Sequence, residues 1–144
     1  PKLIEYNARF GDPETQVLLM RLKTDLLPAL IACVDGTLDQ INLDWHRSAA
    51  VCVVMAANGY PAEYKKGTLI KGLQKAGKIE DTQIFHAGTL LNQQGDLIAN
   101  GGRVLGITSL GEDLTMAQKR AYAAVDLIDW TDGFCRRDIG WRAI

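Results

Sequence analysis

The sequence predicts an α+β fold: the final strand and helix of one unit, followed by a mainly antiparallel sheet with a helix packed on it. Three observations carry this. A short apolar run at the N-terminus passes directly into a long helical stripe. From Ser48 onward, short valine- and leucine-rich runs alternate with Gly and Asn turn signals. One alanine stripe at helical spacing follows the last of those runs. At 144 residues, with 47% hydrophobic and 23% charged residues, the chain can bury a core without staples. Its net charge of -1 provides no global field for a polyanion, which argues against nucleic acid and against an acidic membrane surface as partners.

The elements follow in order. Pro1 to Asn7 carries Leu3, Ile4 and Tyr6 and predicts a strand that breaks at Phe10-Gly11-Asp12. Asp12 then suits an N-cap, Pro13 the first helical position, and Glu14 the positive end of the helix dipole. Leu19, Leu22, Leu26, Leu30 and Cys33 form the stripe, which Gly36 ends. Pro28 sits inside it and removes a backbone donor, so a kink or two abutting helices is expected near Asp25 to Leu27.

Ser48 to Ala57 predicts a buried strand, and Ala62 to Asp81 a surface loop with a short strand at Thr68 to Ile70. Gln83 to Leu91, Leu97 to Ala99 and Arg103 to Leu110 predict three further strands. The separators Asn92 to Asp96 and Asn100-Gly101-Gly102 have hairpin chemistry. Thr115 to Trp130 places Ala117, Ala121, Ala124, Val125 and Ile128 on one helical face, and the tail from Phe134 to Ile144 is expected to dock back.

Cys33, Cys52 and Cys135 are far apart, and the first two lie in apolar runs, which predicts reduced thiols and a cytoplasmic location. The longest uncharged apolar stretch, Ser48 to Ala57, is shorter than the roughly 20 residues of a membrane span. No signal-peptide layout precedes it. The chain opens at Pro1 directly in a strand pattern, as processing or a cut within a larger protein would leave it.

Glu5, Asn7 and Arg9 alternate along the first predicted strand and so project from one face. A carboxylate and an amide oxygen are hard donors that suit Mg²⁺, which keeps waters and takes its other ligands from substrate phosphates. An arginine one step on can hold a carboxylate or a phosphoryl oxygen bidentately. On spacing alone, a solvated strand face with an ordinary Glu to Arg pair is the commoner outcome.

The run Glu5 to Gln16, EYNARFGDPETQ, resembles the signature of the phosphoribosylamine–glycine ligase (glycinamide ribonucleotide synthetase) family, within the ATP-grasp superfamily. VVMAANGYP, IFHAGT, NGGRVLGIT, AQKRAYAAV and CRRDIGWRA resemble successive stretches of the same family's C-terminal region, in the same order. The resemblance implies that residues 1–36 end an ATP-grasp domain and that residues 37–144 form the ligase C-terminal domain. It implies Glu5 and Asn7 as ligands of Mg²⁺ or Mn²⁺ and Arg9 as a catalytic residue beside the acyl phosphate or the acceptor. It further implies Arg103, with Gly101 and Gly102, at the ribose phosphate. ATP would be the co-substrate, and glycine and 5-phosphoribosylamine the other substrates. The family's adenine pocket, glycine-rich lid, phosphate-binding lysine and a further acidic metal ligand lie upstream of the Glu-x-Asn strand. The upstream domains of the same enzyme are therefore implied partners, and the chain alone is expected to be inactive.

Other readings stand beside these. Gly101 and Gly102 could merely allow a tight turn with positive φ, leaving Arg103 a solvated strand residue. The lysines 65, 66, 71, 75 and 78 predict a solvated loop, and Arg136-Arg137 near Trp141 a cation–π contact. His46 and His86 lack an acid or metal partner at recognisable spacing and are expected to be structural. As a whole, the chain could instead be a free-standing noncatalytic small-molecule or partner-binding module derived from a ligase.

Overall fold

The computed structural model describes residues 2–3 and 6–144. The expected first strand falls partly on residues outside that set. Lys2, Leu3, Tyr6 and Asn7 join no ladder among the described residues, and Leu3 and Tyr6 are exposed. An apolar strand pattern becomes a strand only when a neighbour takes its backbone groups, and no described strand lies beside it.

The helical stripe divides into two helices, α1 (Glu14–Arg21) and α2 (Leu26–Asp35). Pro28 is the physical reason, because it is tolerated in a first turn, where its missing N–H has no intrahelical acceptor. Asp25 caps the new start by accepting from the Leu27 N–H at 3.0 Å, and Gly36 ends α2 at φ +69°.

Next come β1 (Ala49–Ala57), β2 (Thr68–Leu69), a single helical turn α3 (Leu73–Ala76), β3 (Thr82–His86), β4 (Thr89–Leu91), β5 (Leu97–Ala99) and β6 (Arg103–Gly111). Helix α4 (Leu114–Val125) and β7 (Gly133–Phe134) complete the body. The strands form two sheets, ordered β3-β6-β1-β7 and β2-β5-β4, with every pairing antiparallel. This corrects two expectations and bears out a third. The predicted strand Gln83 to Leu91 breaks at Ala87-Gly88 into two strands that belong to different sheets. Asn92 to Asp96 is a true hairpin, held by the Asn92 side chain accepting from the N–H groups of Gln94 and Asp96 at 2.9 and 2.8 Å. Asn100-Gly101-Gly102 is not a hairpin, since it carries the chain from β5 to β6 in the other sheet.

β1 and β6 are the central pair, in register from Ala49 opposite Gly111 to Met55 opposite Leu105. Alternation puts Val51, Val53 and Met55 on one face, with Ile107 and Leu105 beside them, and α4 covers that face with Ala117, Ala121, Ala124 and Val125. Small residues on α4 let its backbone approach the sheet closely. Asp113 caps α4, accepting from the Met116 N–H at 2.7 Å. The predicted helix continued to Trp130; instead α4 ends at Val125, and Ile128 and Trp130 enter the core from the following turn. Trp130 Nε1 donates to the buried Thr68 Oγ1 at 2.8 Å, tying the tail to the small sheet.

The tail does dock, because Tyr122 Oη donates to the Arg136 carbonyl at 2.8 Å and accepts from the Ile139 N–H at 3.0 Å. The cation–π partners differ from expectation. Arg137 lies over Tyr122 and Arg142 over Trp141, while Arg136 is taken by Asp138. No helix among the described residues is long and apolar enough to cross a membrane.

Candidate functional site

Helix α1 packs on the opposite face of the central pair from α4, and the chain leading into it forms one wall of an open cleft of about 540 Å³. That wall is built by local hydrogen bonds. Gly11 N–H donates to Glu14 Oε1 at 2.8 Å, and the Gly11 carbonyl accepts from Thr15 N–H at 2.9 Å and from Thr15 Oγ1 at 2.5 Å. Glu14 thereby satisfies a backbone donor just before α1, and Asp12 is not the N-cap that its position predicted. The Asp12 carboxylate is free to turn outward, and its Oδ2 meets Arg103 Nη2 at 3.1 Å.

The opposite wall comes from β1 and β6. Arg103 opens β6 beside a register irregularity opposite Ala56, and its Nη1 also donates to the Asp12 carbonyl at 3.4 Å. Cys52 of β1 and Val17 of α1 line the floor. Burial pushes the Cys52 thiol up from its ordinary value, because a thiolate there would lose its solvation.

Three sequence-predicted residues meet here: Asn7, Arg9 and Arg103 all line the cleft. Arg9 Nη1 donates to Asn7 Oδ1 and, at 3.3 Å, to the Phe10 carbonyl. Glu5 lies outside the described residues. Gly101 and Gly102 do not line the cleft but stand behind Arg103. Neither adopts positive φ, so the tight-turn reading of the pair is replaced by one of close approach. A Cβ on Gly101 would lie 2.8 Å from Gly88 Cα, and one on Gly102 would lie 2.3 Å from the Tyr60 ring. The strands are pinned there by Asn100 N–H on the Gly88 carbonyl at 2.7 Å and Gly88 N–H on the Arg103 carbonyl at 3.1 Å. The glycines thus set where Arg103 emerges.

Sequence reasoning missed Asp12, Glu14 and Cys52 as cleft residues. Asp12 before Pro13 satisfies the N-cap pattern equally well, and only the tertiary position of Arg103 reveals its other partner. His46 and His86 are exposed and away from the cleft; His86 Nδ1 pairs with Thr89 Oγ1 at 3.1 Å. Lys65 reaches Asp132 only at 3.8 Å and is well solvated, as expected for that loop. Cys33, Cys52 and Cys135 are all free thiols, although Cys33 is exposed rather than buried in its apolar run.

Asn7 offers a hard amide oxygen at the cleft, whereas no group of three His, Cys, Asp or Glu side chains gathers among the described residues. That single oxygen accepts from Arg9 Nη1, and Glu5, the other expected donor, lies outside the described residues.

The family described as Phosphoribosylglycinamide synthetase, C domain, matches residues 50–142. This chain belongs to that family. All 144 residues are 61% identical to a phosphoribosylamine–glycine ligase from Mesorhizobium japonicum, of which they span 33%. They are 54% identical to the chloroplastic phosphoribosylamine–glycine ligase of Arabidopsis thaliana, spanning 27% of it. A crystal structure of the Thermotoga maritima phosphoribosylamine–glycine ligase superposes at a TM-score of 0.72 with 34% identity, over 96% of this chain and 33% of that one. The chain thus spans 27% to 33% of the length of these ligases. The C-domain match begins inside β1, so α1, α2 and the cleft wall before them lie outside it, while Arg103 lies within it.

Proposed function

We propose that this chain is the C-terminal third of an ATP-dependent ligase that joins glycine to 5-phosphoribosylamine, giving glycinamide ribonucleotide, ADP and phosphate in purine biosynthesis. The observation that carries the reading is the cleft itself. It brings Asn7 and Arg9, from the segment outside the C-domain match, against Arg103 from within it. In this reading residues 1–36 close an ATP-grasp domain whose larger part lies upstream, residues 37–144 are the C-terminal domain, and the site sits between them. The chain alone lacks the nucleotide pocket and is inactive. The compartment is the reducing cytoplasm or, as the plant relative's name indicates for that protein, a plastid.

The roles follow from charge. ATP phosphorylates the glycine carboxylate to glycyl phosphate, and the amine of phosphoribosylamine then displaces phosphate. Two anions must approach each other in the first step, so the protein's part is positioning and charge compensation. Arg9 offers a forked cation to the acyl phosphate; Arg103 offers one to the ribose phosphate, with Gly101 and Gly102 fixing its backbone. Glu5 and Asn7 would hold Mg²⁺ or Mn²⁺, which supplies charge neutralisation at the ATP phosphates when bound.

The test is steady-state turnover of the full-length enzyme at varied Mg²⁺. Glu5→Gln deletes a charged ligand, and the concentration of Mg²⁺ needed for half-maximal rate is expected to rise by at least about 10-fold. An unchanged Mg²⁺ dependence and rate would refute the metal assignment.

A further inference from the structure

Asp12 stands in no expected role except helix capping, and in the structure no side chain caps α1. What Asp12 does instead is hold Arg103. Its Oδ2 forms an ion pair with Nη2 at 3.1 Å and its main-chain carbonyl accepts from Nη1 at 3.4 Å, so one residue engages both terminal nitrogens of the guanidinium. Asp12 is itself held, since Gln16 Nε2 in the first turn of α1 donates to its Oδ1 at 3.4 Å. The pair bridges the two walls of the cleft, and both residues line it. With the Arg103 and Asp12 side chains 43% and 46% exposed, the pair contributes little to stability. A guanidinium has more N–H donors than Asp12 uses, and the fork is planar, so fixing one edge also fixes the direction of the rest.

We infer that Asp12 is a positioning residue. It orients Arg103 so that the donors Asp12 leaves unused face a dianionic phosphate in the cleft, and it sets the selectivity of that subsite for the phosphorylated substrate. This rests on the ligase reading above, in which Arg103 serves the ribose phosphate. Asp12 also opposes tight capture of stray anions, because its carboxylate repels any anion that approaches without the right geometry.

The experiment is a double-mutant cycle in the full-length ligase with Asp12→Ala, Arg103→Met and both together, measuring kcat and KM for each substrate. Inhibition by inorganic phosphate serves as a probe of the subsite. Arg103→Met is expected to raise KM for phosphoribosylamine by roughly 10- to 150-fold. Asp12→Ala is expected to raise the same constant by about 3- to 5-fold, with KM for ATP and glycine unmoved. It should add nothing in the Arg103→Met background, and Asp12→Asn, which keeps an acceptor, should recover part of the loss. Phosphate inhibition, read as competition with phosphoribosylamine, should strengthen in Asp12→Ala while Arg103 is present. An Asp12→Ala effect of equal size with and without Arg103, or none on phosphoribosylamine, overturns the inference while leaving the ligase reading intact. An Arg103→Met enzyme with an unchanged KM for phosphoribosylamine overturns the subsite assignment and the inference together.

Discussion

The two ends of this chain are built to different standards of closure. From β1 onward, strands and helix seal a continuous core in which Val53, Val104, Leu105 and Ile107 have essentially no exposure. Before β1, helix α1 buries no residue fully and α2 buries only Ala29 and Ala32. Leu27, Leu30, Ile31 and Val34 of α2 stand open to solvent, with Val34 at 86% exposure. Both regions have apolar sequences, so composition does not separate them; the difference is whether a second layer exists to receive the apolar face. The sealed region coincides with the C-domain match, and the open one precedes it. An apolar helix face left uncovered within a chain that spans a third of that relative supports the proposed reading, in which upstream domains cover it.

This comparison can be broken by substitution. Ile107→Ala removes methyl groups from a fully buried position between α4 and β1, and it is expected to cost about 2–5 kcal/mol in urea unfolding of this chain. A loss below about 0.5 kcal/mol would mean that the core is not sealed there. Ile31→Ala makes the same chemical change at a residue 51% exposed. In this chain it should stay within about 0.5 kcal/mol of wild type. In the full-length ligase it should lower the melting temperature measurably, because the side chain is then covered. Equal, small effects in both proteins would remove the case for a cover.

Legibility followed the same division. β1, β6 and α4 were readable because period-2 and period-3.6 patterns report burial on a face, and these elements do bury one. The break between α1 and α2 was readable from Pro28, whose ring acts locally. Asn100-Gly101-Gly102 was misread because turn chemistry marks where the chain bends, not which sheet it enters. The close approach of Gly101 to Gly88 depends on residues a dozen positions away, beyond any local pattern. Asn7, Arg9 and Arg103 were singled out through family resemblance, since spacing alone could not tell a ligand strand from a solvated one. Asp12 stayed hidden behind a cap signal it satisfies equally well.

In the proposed reading the region from β1 onward is a self-sufficient body, while α2 belongs to a larger domain. Amide hydrogen exchange of β6 and α2, followed by mass spectrometry in this chain alone and in the full-length ligase, tests it most directly. β6 amides should be strongly protected in both. α2 amides should exchange readily in the chain alone, where little apolar area holds the helix, and gain at least about 100-fold protection in the full-length protein. Protection of α2 that matches β6 in the isolated chain, and does not change when the upstream domains are present, would contradict the account.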